Sequence, residues 1–180
     1  MNEKRPKLLL VDDKPANLLA LEAVLGDSEF DLIRAASGPQ ALELIQQHEF
    51  ALVLLDIQMP DMDGFETARR IKQRERTRGV PIVFLTAADA DGHLALRGYA
   101  AGAVDYLTKP IDPWVLRAKV AVLVELWEKN RKVRDQAALT AAYERRLTQA
   151  ATRVEQALRL AGGTNHELKV MLEQLAEDLQ

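Results

Sequence analysis

The sequence contains no cysteine, which excludes disulfides, thiol nucleophiles and cysteine-ligated metal sites, and which fits a reducing compartment. It also lacks any apolar run approaching the roughly 20 residues of a membrane span. The charged start, MNEKRPK, is followed by an apolar run too short for a signal peptide. We therefore expect a soluble, cytoplasmic protein without membrane insertion.

A surplus of positive charge is missing as well. Lys and Arg number 24 against 27 Asp and Glu, which gives a formal net charge of -3. Proteins that bind nucleic acids or anionic membranes usually carry a basic surplus, so we expect protein or small-ion partners and no nucleic acid. The 180 residues are enough for one domain with a core, plus an extension.

Apolar runs and helical patterns alternate through the first 110 residues. The strand patterns are KLLLV, FDLIRAA, ALVLL, PIVFLT and AVDYLT. The helical patterns between them are PANLLALEAVLG, GPQALELIQQH, FETARRIKQRE and DGHLALRGYAAG, and a further helix begins near Pro113. This alternation predicts an α/β fold with a five-stranded, doubly wound parallel sheet. Ligands bind such a sheet at the carboxyl ends of its strands.

Polar residues stand at those strand ends. They are Asp12 and Asp13 after the first strand, Asp56 at the end of the third, Thr86 at the end of the fourth and Lys109 after the fifth. Three carboxylates in one crevice repel one another unless a cation lies among them. Oxygen ligands with no His or Cys nearby suit Mg²⁺, which predicts a magnesium site.

This set of residues suits phosphoryl transfer. A carboxylate beside Mg²⁺ is able to attack a phosphoryl group and become an acyl phosphate, and Asp56 is the best candidate for that nucleophile. Lys109 and Thr86 would offer an ammonium and a hydroxyl to the transferred oxygens. Taken alone, Asp12 and Asp13 would more often cap a helix, and Lys109 would be a solvated surface lysine.

One competing motif is excluded. The segment DMDGFE suggests a calcium-binding EF-hand loop, but that loop requires Asp or Asn at the position held by Met59.

Four segments in order, LLLVDDKPANL, LVLLDIQMPDMDGFE, PIVFLTA and GAVDYLTKPID, together resemble the receiver domain of bacterial two-component response regulators. The resemblance covers roughly residues 6–124. It implies a flavodoxin-like receiver domain that a sensor histidine kinase phosphorylates on Asp56. It also implies that Mg²⁺ is bound by Asp12, Asp13, Asp56 and the backbone carbonyl of Gln58.

The same resemblance implies roles for residues of the last two strands. Thr86 and Lys109 would contact the phosphoryl group, and the peptide bond between Lys109 and Pro110 would be cis. Tyr106 matches the aromatic switch residue, which swings inward as Thr86 moves toward the phosphate. The plainer interpretation of Tyr106 is a half-buried aromatic side chain on a strand.

The last third of the chain has a helical pattern without Pro or Gly from Leu126 to Ala161. One seven-residue series contains Leu126, Val133, Thr140, Leu147, Val154 and Ala161. The second series contains Asn130, Ala137, Glu144, Ala151 and Leu158, so the apolar stripe is interrupted. After a receiver domain over residues 1–124, we predict that residues 125–161 continue its last helix as a homodimeric coiled coil, with Asn130 setting the register. A single solvated helix is the alternative.

Residues 162–180 begin with Gly162 and Gly163, which end that helix. Thr164 and Glu167 have the spacing of a capping box, and an apolar stripe follows, which predicts a short amphipathic helix. The segment NHELK faintly resembles phosphorylated-histidine segments, which leaves a phosphorelay through His166 as an alternative.

These patterns together predict a phosphorylation-controlled switch. No motif of a separate output enzyme follows residue 125, so its catalysis would be limited to its own phosphotransfer and autodephosphorylation. We expect the output to be protein interaction, with a homodimer formed through the helical extension and the face near Tyr106. The alternative is the N-terminal part of a longer regulator or hybrid kinase whose output domain is missing.

Overall fold

The computed structural model describes residues 5–26, 30–87 and 101–160. Its strands are β1 (Lys7–Val11), β2 (Asp31–Ala35), β3 (Leu52–Asp56), β4 (Ile82–Ala87) and β5 (Asp105–Lys109). They form one parallel sheet in the order β2-β1-β3-β4-β5. The predicted five-stranded, doubly wound parallel sheet is therefore confirmed.

The described helices are α1 (Pro15–Leu25), α2 (Gly38–Gln47), α3 (Gly64–Gln73) and the long α4 (Pro113–Leu160). The helix predicted over residues 91–102 lies almost entirely outside the described residues, and the predicted helix containing His166 lies wholly outside them. None of the four described helices has the length and apolarity needed to cross a membrane. The chain divides into two compact units, Met1–Asn130 and Arg131–Gln180.

Alternating side chains of the strands divide the core into two clusters, one on each face of the sheet. One cluster joins α2 and α3 to strand residues that include Leu9, Val11, Val53, Leu55, Ile82 and Phe84. The other joins α1 and the first turns of α4 to strand residues that include Leu8, Leu10, Leu52, Leu54, Val83 and Leu85. Because both faces are covered, the central strands are continuous apolar runs, and every residue of β3 is buried.

The first part of α4 is amphipathic. Its buried residues against the sheet are Leu116, Val120, Val124 and Trp127, at helical spacing. The helix begins where Asp112 Oδ1 accepts the backbone N–H groups of Trp114 at 2.8 Å and Val115 at 3.3 Å. In residues 131–156 no side chain of α4 is buried, so this part of the helix leaves its apolar side chains in contact with solvent.

Short polar side chains also fix the starts of α2 and α3. Ser37 Oγ accepts the N–H of Gln40, and Asp63 Oδ1 accepts the N–H of Glu66 at 2.7 Å. The strands end at or close to the predicted positions. β1 ends at Val11 as predicted, whereas β4 and β5 each end one residue later than predicted, at Ala87 and Lys109.

Truncating a central core residue tests this packing. We expect Leu54→Ala to lower the free energy of unfolding by about 2–5 kcal/mol, because Leu54 is fully buried and its removal leaves a cavity. Leu19→Ala is the matched control, since Leu19 is 55% exposed on α1, and it should change stability by no more than about 0.5 kcal/mol. Urea unfolding followed by fluorescence measures both, and equal effects would contradict the packing described.

Candidate functional site

Three carboxylates meet at the carboxyl edge of the sheet. Asp56 is the last residue of β3, and Asp12 and Asp13 follow β1, the neighbour of β3. One oxygen from each of the three lies within 4.8 Å of the others. Asp12 is 0% and Asp56 5% exposed, so solvent screens little of their mutual repulsion.

Lys109 bridges two of these carboxylates from the end of β5. Its Nζ lies 2.8 Å from Asp12 Oδ2 and 2.7 Å from Asp56 Oδ1. Burial disfavours the ammonium, but the hydrogen bonds and charges of the two carboxylates outweigh it, and the pKa of Lys109 is raised. The lysine therefore remains charged and holds β5 to the acidic edge.

Burial also shifts the titration of Asp56. Burial raises the pKa of Asp56, the hydrogen bond and charge of Lys109 offset only part of this effect, and the charges of Asp12 and Asp13 add to it. When the folded-state pKa of a carboxyl lies above its unfolded value, the protein loses stability as the pH rises from the unfolded value to the folded one. At a pH above the ordinary pKa of a carboxyl, the shift of Asp56 therefore lowers the free energy of unfolding.

Asp12 has further partners, one of which the sequence analysis missed. The N–H of Lys14 donates to Asp12 Oδ1 at 2.9 Å, and Asn17 Nδ2 lies 2.9 Å from each oxygen of the same carboxylate. Asn17 is in the first turn of α1, which places its amide next to the end of β1. The sequence does contain a signal for this contact, namely an amide residue in the helical turn directly after the acidic pair.

Asp13 presents an unused oxygen. Its Oδ1 is buried, and the described residues give it no hydrogen-bond partner. Buried polar atoms in native proteins are nearly always partnered, so this atom requires an explanation. In the part of the chain that the structure describes, Lys109 is the one cation that forms ion pairs with this cluster, so the formal charge of three carboxylates and one ammonium is -2. An oxygen-rich site with this charge fits a divalent ion such as Mg²⁺.

The other predicted site residues lie on β4, on β5 and directly after β3. Thr86 is buried, and its hydroxyl donates a long hydrogen bond of 3.3 Å to the carbonyl of Ala87. Tyr106 is 40% exposed on β5, and the side chain of Gln58 is exposed two residues after Asp56. The Lys109–Pro110 bond is cis, as predicted. A ligand role for the Gln58 carbonyl stays a prediction.

A close approach of the backbone positions the loop after Asp56. The N–H of Gly64 donates to the carbonyl of Ile57 at 2.9 Å. A Cβ atom on Gly64 would lie only 2.3 Å from the carbonyl oxygen of Asp56. Glycine is therefore required for α3 to begin directly against the end of β3.

Comparison with known families finds one match over most of the chain. The family model described as "Response regulator receiver domain" matches residues 8–121. This interval contains Asp12, Asp13, Asp56, Thr86 and Lys109.

Two curated relatives are much longer than the matched segment. The chain is 41% identical over 117 residues to the response regulator PleD of Caulobacter vibrioides, covering 65% of this chain and 26% of PleD. It is 42% identical over 116 residues to the sensor histidine kinase GacS of Pseudomonas protegens, covering 62% of this chain and 12% of GacS. The chain thus spans about a quarter or less of the length of these two proteins.

Solved structures agree on the fold. The signal receiver domain of an HD domain-containing protein from Pseudomonas fluorescens matches with a TM-score of 0.67 and 29% identity, covering 73% of this chain and 96% of that one. A CheY-like response regulator receiver domain protein from Methanospirillum hungatei matches with a TM-score of 0.64 and 29% identity, covering 71% and 99% of the two chains.

Asp13→Asn tests whether the acidic cluster is built for a cation. In the presence of a chelator, which removes divalent ions, we expect the variant to be more stable than wild type by about 1 kcal/mol, because one of three like charges is removed. Added Mg²⁺ should stabilise the wild type, by about 2.7 kcal/mol at a hundredfold excess over Kd, and the variant much less. Thermal unfolding measures both effects. Asp61→Asn is the control, and a wild type indifferent to Mg²⁺ would contradict the interpretation.

Proposed function

Because this chain belongs to the family of response regulator receiver domains, we propose that it is a switch controlled by phosphorylation of Asp56. The phosphoryl donor is a phosphorylated sensor histidine kinase, the class of protein that phosphorylates receiver domains. The observation that carries the proposal is the buried cluster of three carboxylates at the sheet edge, with Lys109 bonded to both Asp12 and Asp56.

Asp56, Lys109 and Thr86 each have a role in the proposed phosphoryl transfer. An oxygen of Asp56 attacks the phosphorus and forms a P–O bond while the P–N bond of the donor phosphohistidine breaks. The imidazole nitrogen keeps the electron pair and takes a proton. The ammonium of Lys109 and the hydroxyl of Thr86 donate hydrogen bonds to the phosphoryl oxygens, on which negative charge accumulates. No other catalysis is proposed for this chain beyond the later hydrolysis of the acyl phosphate.

Mg²⁺ is the cofactor that the donor set fits. Asp12, Asp13, Asp56 and the carbonyl of Gln58 would hold it, and the unpartnered Oδ1 of Asp13 supports this assignment. When bound, the ion supplies positive charge for the phosphoryl oxygens. Asn17 and the N–H of Lys14 keep the carboxylate of Asp12 in place.

The signal would leave the site through Thr86 and Tyr106. Tyr106 pairs with Phe84 across β4 and β5, so Tyr106 and Thr86 lie diagonally on one face of the sheet. Tyr106 is 40% exposed, so its side chain lies in an outward position from which it would turn inward as Thr86 moves toward the phosphate. The face near Tyr106 and the extension of α4 would then contact a second copy of the chain.

A second candidate follows from the lengths of the relatives. PleD and GacS match this chain over one part of much longer proteins. A receiver joined to an output or kinase region is therefore the alternative, and the length of the complete open reading frame tests it. The phosphorelay alternative depends on His166, which lies outside the described residues.

Replacing the acceptor tests the site assignment. We expect Asp56→Asn to abolish phosphate incorporation from acetyl phosphate with Mg²⁺, because the amide lacks the nucleophilic carboxylate, whereas Asp61→Asn should label like wild type. Mass spectrometry of the intact chain and of its peptides locates the label. Acid-labile phosphate that persists in Asp56→Asn and disappears in His166→Gln would instead identify the relay histidine.

Pairing through the extension is tested separately. We expect the wild type to sediment as a dimer and the double variant Leu147→Lys with Val154→Lys as a monomer, because two lysines would enter the apolar contact. The measurement is made with and without Mg²⁺ and beryllofluoride, which stands in for the phosphoryl group on Asp56. A wild-type monomer in both states would contradict pairing, and a dimer only with beryllofluoride would make phosphorylation the trigger.

A further inference from the structure

The solvent-exposed part of α4 carries an apolar stripe that the two seven-residue series describe only in part. Its members, called here the 139–154 stripe, are Leu139, Tyr143, Leu147, Ala150 and Val154. Leu139 is 58%, Tyr143 59%, Leu147 47% and Val154 38% exposed. A helix by itself has no core in which to bury large apolar side chains. Because these side chains are so exposed, we expect a partner to cover the stripe.

The stripe has an eleven-residue period. Leu139 and Ala150 are 11 positions apart, as are Tyr143 and Val154. Eleven residues in three turns give about 3.67 residues per turn, close to the 3.6 of an α-helix, so the stripe stays on one side and any supercoil is slightly right-handed. This period removes a difficulty of the seven-residue series, which places the charged Glu144 in the contact.

Opposite charges border the two sides of the stripe. At about 100° of rotation per residue, Glu144 and Glu155 lie along one border, and Arg146 and Arg153 lie along the other. All four side chains are exposed. Among the residues that the structure describes, none of the four has an ion-pair partner. Each border therefore presents charge of one sign that is free to meet a partner.

The distribution of these charges distinguishes the two ways in which identical helices pair. In a parallel pair, each border meets the opposite border of the partner, so arginines would face glutamates. In an antiparallel pair, each border meets its own copy, so arginines would face arginines and glutamates would face glutamates. We propose that a second copy of this chain covers the 139–154 stripe in a parallel, in-register pair. This inference specifies the pairing that the proposed function requires.

Single cysteines test orientation and register, because the wild-type chain contains none. We expect Leu139→Cys and Val154→Cys each to form a disulfide with the same residue of a second copy under mild oxidation. Arg145→Cys is the control. Residue 145 lies on the opposite side of the helix from the stripe, so this variant should form little disulfide. No cross-link in either stripe variant would overturn the proposal. So would an antiparallel result, in which the two variants cross-link only when mixed.

Charge reversal tests the borders. We expect Glu144→Arg with Glu155→Arg to weaken self-association about tenfold at low salt, because both borders become basic. Arg146→Glu with Arg153→Glu should have the same effect, because both borders become acidic. Mixing the two double variants should restore pairing, and high salt should reduce every difference. Sedimentation measures these effects, and unchanged self-association in both double variants would overturn the proposed contact.

The receiver activity serves as an independent measurement in every variant. Phosphate incorporation on Asp56 should be unchanged, since all substitutions lie in the unit Arg131–Gln180 and Asp56 lies in the other. Normal labelling without stripe cross-links would overturn the pairing alone. Stripe cross-links without labelling of Asp56 would overturn the proposed function alone. A wild-type monomer would overturn the pairing.

Discussion

The repulsion among three carboxylates at the edge of the sheet is the constraint on which the rest of this structure depends. Asp12 and Asp56 lie where solvent scarcely reaches, and the ammonium of Lys109 is bonded to both. Ionised groups in such a place reduce folding stability unless their charge is compensated. The core around the five-stranded sheet must therefore be stable enough to keep the three carboxylates together against their mutual repulsion.

The fold provides that stability through strands that are buried on both faces. Each of the three central strands contributes apolar side chains to both core clusters, so the sheet edge cannot move apart without exposing them. Backbone contacts add local precision. Gly64 lets α3 begin against the carbonyl of Asp56, and Asn17 holds the carboxylate of Asp12. The site thus depends on helix starts as well as strand ends.

Much of this arrangement was predictable from the sequence because strand ends are easy to read. Buried parallel strands appear as continuous apolar runs, and sheet topology brings their carboxyl ends together, which identified Asp12, Asp13, Asp56 and Lys109 as neighbours. Asn17 was missed because its contact depends on the direction of a side chain in the first helical turn, which an apolar pattern does not specify. The residues over 91–102 were predicted as a helix and lie outside the described residues.

The extension of α4 shows a different limit of sequence reasoning. Two periods fit the same helix, since Leu147 and Val154 belong both to a seven-residue series and to the 139–154 stripe. Apolar spacing alone did not separate them, because alanines are apolar on every side of this helix. Exposure does not separate them either, since Leu139 and Tyr143 are as exposed as the residues of the seven-residue series. Border charge does separate them, because the glutamates and arginines lie on opposite borders only of the 139–154 stripe. The two units therefore place charge in different ways. The carboxylates of the first unit are concentrated at the buried sheet edge, where Lys109 compensates them in part. The glutamates and arginines of the second unit are exposed to solvent along the two borders of the stripe, where isolated charges cost little.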